Sequence, residues 1–154
     1  MKISNFLYQM TAIIAIAFSS WAHASEQVEI DENDVILAGH DAVAYFTEKK
    51  PVLGLAKYTS VHNGAIYRFS SAKNRDKFAK NPEKYAPQYG GFCAYGMTFG
   101  KKFEVDGKAF QVVDGKLYVN KNRSVYSTWK KDIPKHISEA NSEWHTVEQL
   151  AAKN

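Results

Sequence analysis

The chain has one cysteine, Cys93, so no internal disulfide can form and the fold must hold by packing alone. A thioredoxin-like redox site is excluded too, because it needs a second thiol nearby. Long apolar runs are scarce. The mostly apolar, uncharged run from Met10 to Phe18 is too short to span a bilayer, and no other candidate span follows. No basic run interleaves with aromatic residues; lysines are scattered among acids, which argues against a nucleic-acid partner. Gly-x-x-Gly spacings occur without the lysine and serine of a phosphate loop. No paired-carboxylate motif and no signature of a Cys-His nucleophile stand out, so nothing positive marks an enzyme.

The N-terminus reads as a targeting segment. Lys2 supplies a minimal positive region, the apolar run follows, and Ala22-His23-Ala24 gives the small-x-small pattern of a signal-peptidase site. Cleavage is expected after Ala24, which places the product in the periplasm without a stable membrane anchor. The mature chain, 25–154, then has the length of one domain with one real core. Loss of Lys2 takes the formal charge from +4 to +3, a mild value. An unpaired thiol in an oxidising compartment is at risk unless it is buried, liganded or joined to another chain.

Turn chemistry and periodicity give an α+β domain of two β-hairpins packed with short helices. Val35-Ile36-Leu37 reads as a short strand ending at Gly39, and Asp41 as the cap of a helix through Phe46. Asn63-Gly64 turns the first hairpin, pairing His62 with Ala65, Val61 with Ile66, Ser60 with Tyr67 and Tyr58 with Phe69. Ser70 or Ser71 caps a helix from Ala72 to about Lys80 with Phe78 inward, and Asn81-Pro82 starts a further turn ending at Tyr85. Asp114-Gly115 turns the second hairpin, with Phe110 and Val112 opposite Val119 and Leu117. A helix is expected over 120–131 and another after Asp132, with the tail fraying from Val147.

The segment from Tyr85 to Met97 concentrates rare and reactive residue types. Gly90-Gly91 permits a sharp turn, and a short helix after it puts Cys93 near its N-terminus, where the dipole favours thiolate. Met97 at i+4 is expected on the same face. Thiolate plus thioether suits Cu(I), with His40, its ring oriented by Asp41, or His62 as a third ligand. The competing reading is a buried thiol with Met97 filling a core gap. Tyr67, Tyr85, Tyr89 and Tyr95 flank the thiol; they line a pocket or simply build core, and Arg68 beside them holds an anion or a surface carboxylate. Two functions therefore stay open: a binding protein for a metal ion, copper foremost, or a small ligand around Cys93, and a structural module that self-associates, with Cys93 buried or linking a homodimer. A thiol sensor of oxidants is a weaker third.

The run Tyr58-Thr59-Ser60-Val61-His62-Asn63-Gly64, continued through Phe69-Ser70-Ser71 to Phe78 and Asn81-Pro82-Glu83-Lys84-Tyr85, resembles the YHS domain family. Gly39 to Phe46, Tyr89 to Tyr95 and Val113 to Asn120 are similar to its longer, exported branch. The resemblance implies a soft-metal site of three cysteines in shorter members. Those positions fall here on Ala44, Ser70 and Asn74, so the usual metal site is missing from this chain.

Overall fold

The computed structural model describes residues 28–151, with side chains described to 147. The 1–24 targeting reading lies outside the described residues. In chain order the regular elements are helix α1 (Ala44–Thr47), strands β1 (Leu55–His62) and β2 (Ala65–Phe69), helices α2 (Ala72–Lys80), α3 (Pro82–Tyr85) and α4 (Ala94–Met97), strands β3 (Asp106–Val113) and β4 (Lys116–Asn120), and helices α5 (Arg123–Trp129) and α6 (Ile133–Ala151). The strands form two separate antiparallel hairpins, β1-β2 and β3-β4, within one α+β domain.

Both hairpins turn where their Asx-Gly pairs require. Asn63 and Gly64 have φ of 49° and 77°, and Asp114 and Gly115 have 49° and 74°, the positive pair of a type I′ turn. In the first hairpin His62, Val61 and Ser60 pair as expected, but an irregularity between Leu55 and Thr59 puts Leu55, not Tyr58, opposite Phe69. The second pairs Phe110 with Val119 and Val112 with Leu117. Ser71 caps α2 by accepting the Asn74 N–H at 3.1 Å, and Asp132 accepts the Lys135 N–H at 3.2 Å at the start of α6.

Strand β4 organises the interior. Its alternation sends Leu117 and Val119 into one core with Ile36, Val43, Tyr45, Phe69, Phe78 and Cys93. Tyr118, between them, enters a second core with Tyr89, Met97, Trp129 and Ala140. One strand thus serves two apolar layers, because its side chains point to opposite faces.

Three further expectations need correction. Val35 makes only a single parallel bridge to Ile66. Leu37 and Ala38 then take φ of 60° and 47°, so the apolar run becomes a buried 3-10 turn instead of a strand. A short apolar run does not itself discriminate the two. The helix expected over 120–131 starts later: Asn120 ends β4, and Asn122 caps α5 by accepting the Val125 N–H at 2.9 Å. The last helix continues past Val147 to Ala151 instead of fraying.

Candidate ligand site

Cys93 caps α4 as the sequence suggests, its Sγ accepting the Gly96 N–H at 3.4 Å. It also accepts the Lys121 N–H at 3.3 Å, and the thiol reaches Asn120 Oδ1 at 3.7 Å. The side chain is 1 % exposed. The sulfur is therefore enclosed and already partnered. Met97 is fully buried as well, but in the other core. Cys93 is a cap with non-helical backbone (φ −53°, ψ 116°), so the i, i+4 rule does not set the two sulfurs on one face.

The histidines do not join them. His40 is buried, with Nδ1 3.1 Å from the Leu37 carbonyl. It packs so tightly on Gly107 that a Cβ there would collide with Nδ1. Asp41 does not orient the ring; its oxygens are used elsewhere, as described below. His62 is largely enclosed: its side chain is 15 % exposed and Nε2 lies 3.1 Å from Glu83 Oε1. Its ring meets Phe78 edge-on. Among the described residues no group of three or more His, Cys, Asp or Glu is placed to hold a metal ion.

The tyrosines divide between the cores. Tyr67 is buried against Phe78 at 4.3 Å, and desolvation, aided by Glu83, pushes its hydroxyl pKa up. Tyr89 sits in the second core, its hydroxyl donating to Asn141 Oδ1 at 2.9 Å. Tyr95 meets Phe99 and His136 edge-on. Arg68 follows Tyr67 on β2 and points to the opposite, half-buried face. These four do not share one wall.

Where the resemblance places thiols, the chain has built a carboxylate clamp. Asp41, 0 % exposed, accepts from the backbone N–H groups of Val43 and Ala44 at 2.9 and 3.2 Å through Oδ1. Its Oδ2 accepts from the Ser70 N–H at 2.8 Å, the Ser70 hydroxyl at 2.7 Å and the Asn74 Nδ2 at 2.8 Å. Five donors converge on one buried carboxylate, which satisfies it as a buried charge demands. The clamp joins α1, the end of β2 and the first turn of α2. It is structural chemistry: the oxygens are consumed.

An accessible site lies elsewhere. Two concavities of about 480 and 460 Å³ adjoin, sharing Phe110 and Tyr126 as a common wall. One is walled by Tyr45, Phe46 and Val112 from α1 and β3, with Lys49 at its edge. The other is lined by Lys108, Arg123 and Lys130, with Pro51 and Ser127 completing it. The aromatic walls are fixed. Tyr45 donates to the Gly107 carbonyl at 2.7 Å and lies 4.5 Å from the Phe110 ring; Tyr126 donates to Gln111 Oε1 at 2.9 Å. Burial raises the pKa of both phenols, more strongly for Tyr45, where Asp106 and Asp41 add to the effect, so both stay neutral donors. The Lys130 ammonium stands 4.6 Å over the Tyr126 ring. None of the residues lining either concavity is acidic.

Residues 43–89 match the YHS domain family. The YHS segment runs from the residue before α1 to Tyr89, and so contains Ala44, Ser70 and Asn74 of the clamp but neither Asp41 nor Cys93. It supplies one side of the groove, Tyr45, Phe46 and Lys49; β3 and α5, beyond the match, supply the other. No curated protein and no solved structure matches the chain.

Sequence reasoning missed both the clamp and the groove. The clamp had a signal: Ser70 and Asn74, polar residues at i, i+4 on positions the resemblance gives to metal-binding thiols, point to a polar partner there. The groove had little, since its walls come from three stretches far apart in the chain.

Proposed function

We propose that the protein is a binding module that takes a small organic molecule with an apolar body in the groove between α1, β3 and α5. One observation carries this: two adjoining concavities, each within the size range of ligand pockets, meet at a fixed aromatic wall of Phe110 and Tyr126. The enclosed, hydrogen-bonded Cys93 gives no support to copper coordination at that sulfur, so the ligand reading moves from the thiol to the groove. The proposed setting is the periplasm, supported by Lys2, the apolar run 10–18 and Ala22-His23-Ala24.

The test is fluorescence titration with the apolar dye Nile red, in the wild type and in Lys49→Trp. Lys49 is exposed after α1 and lines the apolar concavity, so an indole there fills the space without entering a core. The wild type is expected to enhance the dye emission saturably and the variant to lose the enhancement. Equal enhancement by both, or none by the wild type, overturns the reading.

A further inference from the structure

The groove is divided by chemistry as well as by shape, and the division selects a ligand. On the α1 side the walls are Tyr45, Phe46 and Val112, with the phenol oxygen of Tyr45 turned into its bond with Gly107. On the α5 side three cations, Lys108, Arg123 and Lys130, are all exposed at the rim and no lining residue opposes them. Lys49 adds a fourth positive charge at the far edge. Resting on the groove reading above, we infer that the ligand is an amphipathic organic anion: an aromatic or aliphatic body on Tyr45, Phe46 and Phe110, and an oxyanion head held by Arg123 with Lys108 and Lys130.

Charge complementarity carries the argument. Three cations in one concavity and a fourth in the adjoining one, with no carboxylate in either lining, raise the local concentration of anions and disfavour cations of the same shape. Arg123 offers the planar fork that matches a carboxylate or another oxyanion, while the two ammoniums act as point charges beside it. The Lys130 ammonium over the Tyr126 ring sits at the boundary between the two halves, next to the wall that they share. A head group bound among the cations therefore leaves the attached body against the aromatic wall. An apolar ligand without a charge would use only half of the site.

The experiment compares two probes with the same ring body, sodium 2-naphthoate and neutral 2-naphthylmethanol, by isothermal titration of the full chain. The expected result is a preference for the anion of about tenfold or more, shrinking in high salt. Arg123→Glu combined with Lys108→Glu should abolish that preference, bringing the affinity for the anion down to or below that for the alcohol; both side chains are exposed, so the melting temperature should move little. Equal binding of the two probes by the wild type overturns this inference and leaves the groove reading standing. A preference that survives the double charge reversal also overturns it, because the selecting charge then lies elsewhere. Binding of neither probe overturns the inference and the groove reading together.

Discussion

Replacing Asp41 with asparagine tests whether the clamp is the keystone between α1, β2 and α2. The wild-type carboxylate accepts five hydrogen bonds, two at Oδ1 and three at Oδ2. Asparagine keeps an oxygen for the Val43 and Ala44 amides but presents Nδ2 to the other three donors. The Ser70 hydroxyl can rotate to accept and the Asn74 amide can flip, but the Ser70 backbone N–H is left facing another donor. Losing one charge-assisted bond and burying an unsatisfied N–H at a fully enclosed site costs roughly 2–4 kcal/mol. Asp41→Ala leaves all five donors without the carboxylate and should cost roughly 1–2 kcal/mol more. Urea unfolding is the assay. The emission of Trp129, fully buried, reports the transition, and an unchanged m-value shows that stability alone has moved. The corresponding fall in melting temperature is about 10 °C for Asp41→Asn. Ser70→Ala combined with Asp41→Asn should cost less than the sum of the single changes, because the two share partners. A loss below about 1 kcal/mol for Asp41→Asn, or strict additivity with Ser70→Ala, would refute the clamp as a coupled network.

Two further outcomes follow from buried groups. Burial, with Asp31 and Glu104 nearby, raises the Glu29 pKa to about 7, against the lowering effect of a hydrogen bond from Val105. Between the ordinary carboxylate value and about 7 the folded chain therefore binds a proton that the unfolded chain does not, so stability falls as pH rises through that window. Glu29→Gln should flatten that slope and be the more stable form at pH 8, by about 1 kcal/mol after allowance for solvent screening, with melting curves at pH 5 and pH 8 as the check. A wild-type slope that survives in the variant excludes Glu29 as its source. Cys93, 1 % exposed, should react with a thiol reagent such as Ellman's reagent only when the chain opens. Rapid labelling of the folded protein would contradict the enclosed sulfur, and Cys93→Ala should destabilise by roughly 1–3 kcal/mol through a lost contact and two unpaired N–H groups.

Local chemistry was legible and long-range chemistry was not. The two Asx-Gly turns, the Ser71 and Asp132 caps and the Cys93 cap rest on residues a few positions apart, and each stands where the sequence puts it. The first hairpin's register drifts only beyond Thr59, where an irregularity absent from any sequence pattern moves Leu55 opposite Phe69. Asp41 shows the limit from the other side. Its near donors, Val43 and Ala44, lie where α1 begins, so Asp41 holds the entry to the helix although Val43, not Asp41, stands at the cap position. The far donors, Ser70 and Asn74, lie 29 and 33 residues away and appear only when the junction of β2 and α2 comes back to Asp41. The sulfur pair misled because the helical-face rule assumes helical backbone at both ends, and Cys93 is not helical.

The clamp also bears on why a binding site should lie away from Ala44, Ser70 and Asn74. A soft cation at those positions would need thiolates to neutralise and hold it. The chain instead places there a hydroxyl and an amide that neutralise nothing, together with a carboxylate whose hydrogen bonds are already made within the protein. That arrangement joins three elements whether or not anything is bound, and it offers a soft cation no thiolate. The fold keeps α1 fixed against β2 and α2 by this means, and α1 in turn presents Tyr45 and Phe46 to the groove. Residues that the resemblance assigns to metal thus anchor the helix that carries one wall of the proposed groove site, so Asp41→Asn should loosen the groove as well as the core.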